Sequence, residues 1–288
     1  MDLQSGLTYG PVRSRRLGRS LGVNLSPPAR KTCNFNCAYC QYGWTDFPVR
    51  GPFPAPADVI DALDRALAQD PDVETITVAG NGEPTLHPAF GPIAEGLFEV
   101  RARRAPKASL ALLSNGSTLN RLDVVYSLSR FDRRCLKLDA GDATTFRRVN
   151  APGIPLVQLI ANLRSVEHLT LQSMFVRDDE GVIDNTTPQA VNAWIEAVDR
   201  VRPESVDIYT LARTPARKTL RRVPGAILEG IAARVAELGV RARVVAQPSL
   251  RHPRLPREKS PNPGGKSRPT RAENTAGQRV SPWEPRKT

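Results

Sequence analysis

Apolar residues fall in short runs along the chain, broken by Pro, Gly and charged residues. Seven of these runs are short, aliphatic and rich in β-branched residues: 18–25, 74–80, 108–114, 134–139, 168–176, 204–211 and 241–246. Such runs suit parallel strands covered on both faces. Between them lie segments with helical period. Val59, Ile60, Leu63, Ala66 and Leu67 share one face of residues 57–69. After Thr187 as a cap and Pro188 in the first turn, Val191, Trp194, Ile195 and Val198 make a second stripe. Ile227, Ile231, Val235 and Leu238 make a third, which Gly239 stops.

Strand–helix units repeated over roughly 230 residues predict an α/β fold with a parallel sheet. Whether that sheet closes as a barrel or stays open, ligands sit at the carboxyl ends of its strands.

Composition sharpens the picture in two places. The 288 residues are 40% hydrophobic, enough for a substantial core. No apolar run is long enough to cross a bilayer, and the N-terminus lacks the layout of a signal peptide. A cytoplasmic, reducing setting with no membrane partner is the expectation. The net charge of +12 is uneven. Residues 251–288 hold ten Lys or Arg and three Glu, in a setting of Pro, Gly and Ser. Such a segment buries too little surface to offset its ordering entropy. The expected division is therefore a folded body over 1–250 and a disordered basic tail over 251–288. The tail suits a weak grip on RNA, or no specific role.

Three of the four cysteines, Cys33, Cys37 and Cys40, fall in the stretch CNFNCAYC after the first strand, spaced C-x3-C-x2-C. In a large chain of a reducing compartment, such a cluster points to metal or catalysis. A disulfide would use two of the three. Structural zinc usually takes four ligands, and the loop holds no His. The fourth cysteine, Cys135, lies mid-strand and reads as a small buried hydrophobe. Three thiolates on a four-iron cluster leave one iron without a protein ligand. That is incomplete for a plain electron carrier and suits a small chelating molecule at the open iron.

With Tyr39 just before the last cysteine, the motif resembles the radical S-adenosylmethionine (SAM) superfamily. The stretches GPVRSRRLGRSLGVNLSPPARKTCNFNCAYCQYG, VAGNGEPTLHP, LLSNGS and KLDAGDATTFRRVN resemble successive motifs of a one-cluster subgroup. That subgroup is distantly similar to tRNA wyosine-base synthases. The resemblance implies a partial (β/α)6 TIM-like barrel. It also implies one [4Fe-4S] cluster on Cys33, Cys37 and Cys40, with SAM chelated at the open iron. One electron would cleave SAM to methionine and a 5′-deoxyadenosyl radical, which abstracts hydrogen from a substrate. An external electron donor, flavodoxin- or ferredoxin-like, is implied too.

Within that resemblance, residues 80–84 (GNGEP) stand where relatives often carry Gly-Gly-Glu-Pro beside the SAM amino group. Asn81 replaces the first glycine of that pattern. Gly82 permits close backbone approach, and Glu83 is the anionic candidate near the ammonium. Ser114 and Asn115 suit hydrogen bonds to a carboxylate or ribose, Asp139 suits a ribose, and Gln172 suits the adenosine. Each of these otherwise reads as a turn residue satisfying local backbone.

Arg13, Arg15, Arg16 and Arg19 crowd the segment before the first strand and are candidates for holding substrate, a small metabolite or RNA. Arg147, Arg148 and Arg213 stay undecided. His87, His168 and His252 form no visible ligand set. With Cys135 the only cysteine left, a second cysteine-ligated cluster is not expected. The competing reading is a nucleic-acid-binding protein with a structural metal loop and a basic tail.

Overall fold

The computed structural model describes residues 2–28, 30–45 and 52–245, all within one compact unit, Met1–Gln247. The tail expected over 251–288, with His252, lies outside the described residues. So does Ala246, the last residue of the seventh strand run.

The chain opens with a hairpin of β1 (Thr8–Ser14) and β2 (Gly18–Val23). It then alternates: α1 (Pro56–Gln69), β3 (Thr75–Val78), α2 (Phe90–Arg104), β4 (Ser109–Ser114), α3 (Leu122–Ser127) and β5 (Arg133–Lys137). Next come α4 (Ala143–Asn150), α5 (Leu156–Arg164), β6 (Leu169–Met174), β7 (Arg177–Asp178), α6 (Pro188–Val201) and β8 (Ser205–Tyr209). The described part ends with β9 (Leu220–Arg221), α7 (Gly225–Glu237) and β10 (Arg241–Val244).

Eight strands form one sheet in the order β1-β2-β3-β4-β5-β6-β8-β10; β7 and β9 pair separately. From β2 to β10 every neighbour is parallel. Six strand–helix units followed by β10 give the expected (β/α)6 architecture. All seven strand runs of the sequence fall on these parallel strands. The segment before the first run is not a loop, however. It is β1, paired antiparallel to β2 at the sheet edge.

The two faces of the sheet differ, which departs from the expected double apolar cover. One face carries Leu21, Val23, Ile76, Val78, Leu110, Leu112, Leu136, Leu171, Val206 and Ile208, all in the main core. Helices cover it: α1 buries Val59, Leu63 and Leu67, and α6 buries Val191, Trp194 and Val198 among others. Thr187 caps α6 by accepting a hydrogen bond from the Ala190 amide. Apart from Leu113 and Met174, the alternating positions on the other face are small, polar or charged. Ser20 and Thr77 share a hydrogen bond of 2.7 Å, and Asp207 accepts one of 2.6 Å from Arg243. Residues from β1, β2 and β8 line one cavity, so the sheet curls that polar face inward. Among the described strands β1 and β10 do not pair, so the barrel stays open on one side.

No helix among the described residues is long and apolar enough to cross a membrane.

Candidate functional site

Cys33, Cys37 and Cys40 follow β2, at the carboxyl edge of the parallel strands. The loop that carries them is fixed at both ends. Thr32 forms a parallel bridge with Gly82. The Thr32 amide donates to the Asn81 carbonyl at 2.7 Å, and the Glu83 amide donates to the Thr32 carbonyl at 2.9 Å. The glycine-containing segment after β3 thus acts as a rail for the cysteine loop. Farther on, the Asn36 amide donates to Asn150 at 2.9 Å and the Ala38 amide to Val149 at 2.9 Å. Lys31 Nζ closes the loop on the Gly43 carbonyl at 2.6 Å.

All three thiols line one cavity of about 600 Å³. None of them is in a disulfide, and each is partly exposed, whereas Cys135 is buried on β5. N–H groups point at two of the sulfurs: the Phe35 amide reaches Cys33 Sγ at 3.4 Å, and Asn150 Nδ2 reaches Cys37 Sγ at 3.3 Å. Burial, then the neighbouring Cys37 and Glu83, push the Cys33 thiol up. Burial and then Asp139 do the same for Cys37. Among the described residues no three Cys, His, Asp or Glu side chains converge as one ion would require.

The structure sorts the other candidates into walls and braces. Tyr39, Gly80 and Gly82 are in the wall. Asn81 is fully buried and faces away: its side chain accepts from the Gln4 amide at 2.7 Å and donates to the Gln4 carbonyl at 2.8 Å. Glu83 is also buried. It accepts from Ser114 Oγ at 2.7 Å, the Asn115 amide at 2.6 Å and Thr85 Oγ1 at 2.6 Å. Burial pushes its carboxyl up against those four stabilising donors, which include the Thr85 amide. Glu83 therefore ties the end of β4 to the segment after β3. Asn115 in turn donates to Asn34 Oδ1 at 2.9 Å, inside the cysteine loop.

Asp139, just past β5, is a hub. It accepts from Tyr39, from Asn150 Nδ2 at 2.7 Å and from the Met174 amide at 2.7 Å. Lys137 Nζ stands 3.4 Å from it, donates to Tyr209 at 2.9 Å and lies over the Tyr39 ring at 4.8 Å. Burial works most strongly against the Lys137 charge, but Asp139, Tyr209 and Cys37 together outweigh it and the ammonium is held above its ordinary value. Gln172, on β6, accepts from Arg16 Nη1 at 2.6 Å. Its Nε2 is buried without a partner among the described residues.

Of the four clustered arginines, Arg13, Arg15 and Arg16 line the cavity together with Arg213. Arg19 does not join them: it pairs with Asp70 at 2.5 Å and with the Asp72 carbonyl. His87 caps backbone at Pro54 and Ala89, and His168 meets Glu204 on the surface.

Lys137, Asn150 and Tyr209 escaped the sequence reading. For Lys137 a signal existed, since it shares a strand face with Cys135 and sits two residues before Asp139. Asn150 and Tyr209 gave none, because their partners lie far away in the chain.

Comparison with known proteins speaks to the family and the fold. A family model described as the radical SAM superfamily matches residues 30–176. The UPF0026 protein slr1464 of Synechocystis is 33% identical over 211 residues, covering 69% of this chain and 73% of that one. The UPF0026 protein MJ1312 of Methanocaldococcus jannaschii is 32% identical over 155 residues, 52% of this chain and 46% of its own length. Among solved structures, a radical SAM methyltransferase from Sphaerobacter thermophilus superposes with a TM-score of 0.57 at 15% identity. That match covers 78% of this chain and 65% of the methyltransferase and speaks to the fold alone. The chain thus spans less than two thirds of the methyltransferase and under half of the MJ1312 protein.

Proposed function

Because the chain belongs to the radical SAM superfamily, it is an enzyme of a [4Fe-4S] cluster and SAM, and we propose that Cys33, Cys37 and Cys40 hold its single cluster. When bound and reduced, the cluster would supply one electron to SAM, releasing methionine and a 5′-deoxyadenosyl radical able to take a hydrogen atom from substrate. As in the superfamily generally, an external reductant and a substrate are needed. A flavodoxin- or ferredoxin-like protein in a reducing cytoplasm suits the first role.

The observation that carries this reading is that three thiols face one cavity while Cys135 stays apart. A cubane spreads its thiolates over separate irons, so its ligands need not converge as around a single ion. This fits the sulfur arrangement better than a structural zinc does. The amide groups at Cys33 and Cys37 are the kind of donor that tunes cluster sulfurs.

The chain's own residues divide the remaining work. Gly82 lets backbone rather than side chain form the wall beside the cysteines, where the SAM ammonium would rest. Glu83 acts behind that wall, holding Ser114 and Asn115 in place. Asp139 orients Tyr39 and Asn150, and through Asn150 the Cys37 sulfur. Gln172, behind the wall, holds Arg16 at the cavity.

Anaerobic reconstitution with iron and sulfide, followed by SAM and a strong reductant, tests the reading. The expected product is 5′-deoxyadenosine, lost in each of Cys33→Ser, Cys37→Ser and Cys40→Ser. Anaerobically purified protein that holds zinc without sulfide, and releases no 5′-deoxyadenosine after reconstitution, would overturn it.

A further inference from the structure

Among the described residues the cavity wall carries six cations, Arg13, Arg15, Arg16, Lys31, Lys137 and Arg213, and no Asp or Glu. Two of the six are accounted for by the site itself. Lys31 closes the cysteine loop, and Lys137 sits on Asp139 between two tyrosines. The four arginines stand apart from the cysteine loop, Arg15 and Arg213 each with interactions of its own. Among the described residues Arg13 and Arg16 form no ion pair. Arg16 instead spans the barrel to Gln172 and lies over the Tyr209 ring at 4.9 Å. Arg213 reaches Gln41 at 2.7 Å.

Their placement follows from the open barrel. Arg13 lies on β1 and Arg15 and Arg16 in the turn to β2, at one edge of the sheet. Arg213 follows β8, near the other edge. The Arg15 guanidinium is held below its ordinary value by partial burial and then by Arg16, Arg213 and Arg222. The two edges therefore feel one another's charge across the gap. The bound cofactors do not cancel it. A [4Fe-4S]2+ core on three thiolates would carry about one negative charge, and SAM, whose carboxylate balances its sulfonium, would add about none, so the pair offsets only about one of these positive charges.

Resting on the radical SAM reading of this cavity, we propose that its substrate carries a phosphate group, received by Arg13, Arg16 and Arg213 on the open side of the barrel. Guanidinium forks pair with carboxylates as well as phosphates. A lone carboxylate brings a single negative charge, whereas a phosphate monoester or diphosphate brings enough charge and oxygens for several forks at once.

The test uses anaerobic, cluster-loaded protein with SAM, and reads binding of three probes by calorimetry: pyrophosphate, citrate and a short single-stranded RNA. Pyrophosphate is expected to bind, and to weaken about tenfold or more in the double variant Arg13→Gln/Arg213→Gln. Arg13→Lys/Arg213→Lys, which keeps the charge and loses the forks, is expected to fall between. RNA that binds more tightly, is displaced by pyrophosphate and weakens in the same variant assigns the phosphate to a polynucleotide. RNA that does not bind assigns it to a small molecule. The proposal is overturned if neither phosphate probe binds, if the Gln variant binds as well as the parent, or if citrate matches pyrophosphate. Iron and sulfide content are measured on the same samples. Protein with a full cluster and no phosphate binding defeats this inference alone. Protein that binds pyrophosphate but takes up no cluster defeats the radical SAM reading instead.

Discussion

A Cβ added at Gly82 would stand 1.7 Å from the Thr32 carbonyl oxygen and 2.3 Å from its carbon. Backbone cannot retreat from backbone there without breaking the two hydrogen bonds that set Cys33. Gly82→Ala is therefore expected to cost about 1–3 kcal/mol, as overpacking does, and to lower cluster uptake more than stability. Denaturant midpoints and iron content read the two effects separately. Cys135 tests the opposite kind of cysteine. Burial pushes its thiol from 9.0 to about 11. The protonated thiol's contribution is therefore complete below pH 9 and fades as pH rises through about 11. Between pH 8 and pH 11 the parent should lose about 2–3 kcal/mol that Cys135→Ala does not lose. Parallel stability curves for the two proteins would refute this. The same residues show what a sequence discloses. The cysteine spacing and the glycine at 82 are local facts, readable in a dozen residues. Asp139 was readable as a polar residue at a strand end, but not as a hub, because Tyr39 lies 100 residues away. Glu83 was readable as an acid near the site, not as a brace, because Ser114 reaches it from another strand.

Among the elements, those with a plain period were legible and those without were not. Every parallel strand announced itself through its aliphatic residues. Their second, polar face was harder to see, since alternations such as Thr75-Ile76-Thr77-Val78 are only four residues long. The hairpin strand β1 was hidden by Pro11 and Arg13, which an edge strand tolerates and a central one would not. Helix α2 buries Ala94 and Gly96 beside Phe90, Ile93 and Leu97, so its stripe is small and its end basic. Helix α4 is eight residues long and buries just Phe146, Val149 and Asn150. How closely elements pack was not legible at all. A Cβ at Gly141 would stand 1.9 Å from the Ala193 carbonyl on α6. That contact lets Trp194 of α6 donate to the Leu138 carbonyl at 2.9 Å, next to Asp139. Gly141→Ala is expected to push α6 outward and cost about 1–3 kcal/mol. A denaturant midpoint within error of the parent would show that the two elements have room to spare.

At the scale of the whole molecule, the core and the cysteine loop are nearly separate structures. The main core lies between the helices and the apolar face of the sheet, and of the loop residues it takes in Phe35, with Cys33 and Cys37 packed against it. Ala38 and Tyr39 belong instead to a small cluster with Val149, Val176, Ile183, Leu211 and Leu220. Small metal domains behave otherwise: they lack a core, and their metal-binding energy is their folding energy. A chain this long has apolar area enough to fold without its cofactor. Chelating the iron from reconstituted protein without air is therefore expected to leave the far-ultraviolet circular dichroism intact. The thermal midpoint should drop by no more than about 10 °C, the loss of a ligand that binds the folded state. The loosening should be local, so limited proteolysis of the iron-free protein should cut around the cysteine loop or the β7–β9 pair before it cuts the barrel. Global unfolding on chelation would mean that the cluster, rather than the helix-facing leucines and valines of the sheet, holds this barrel together.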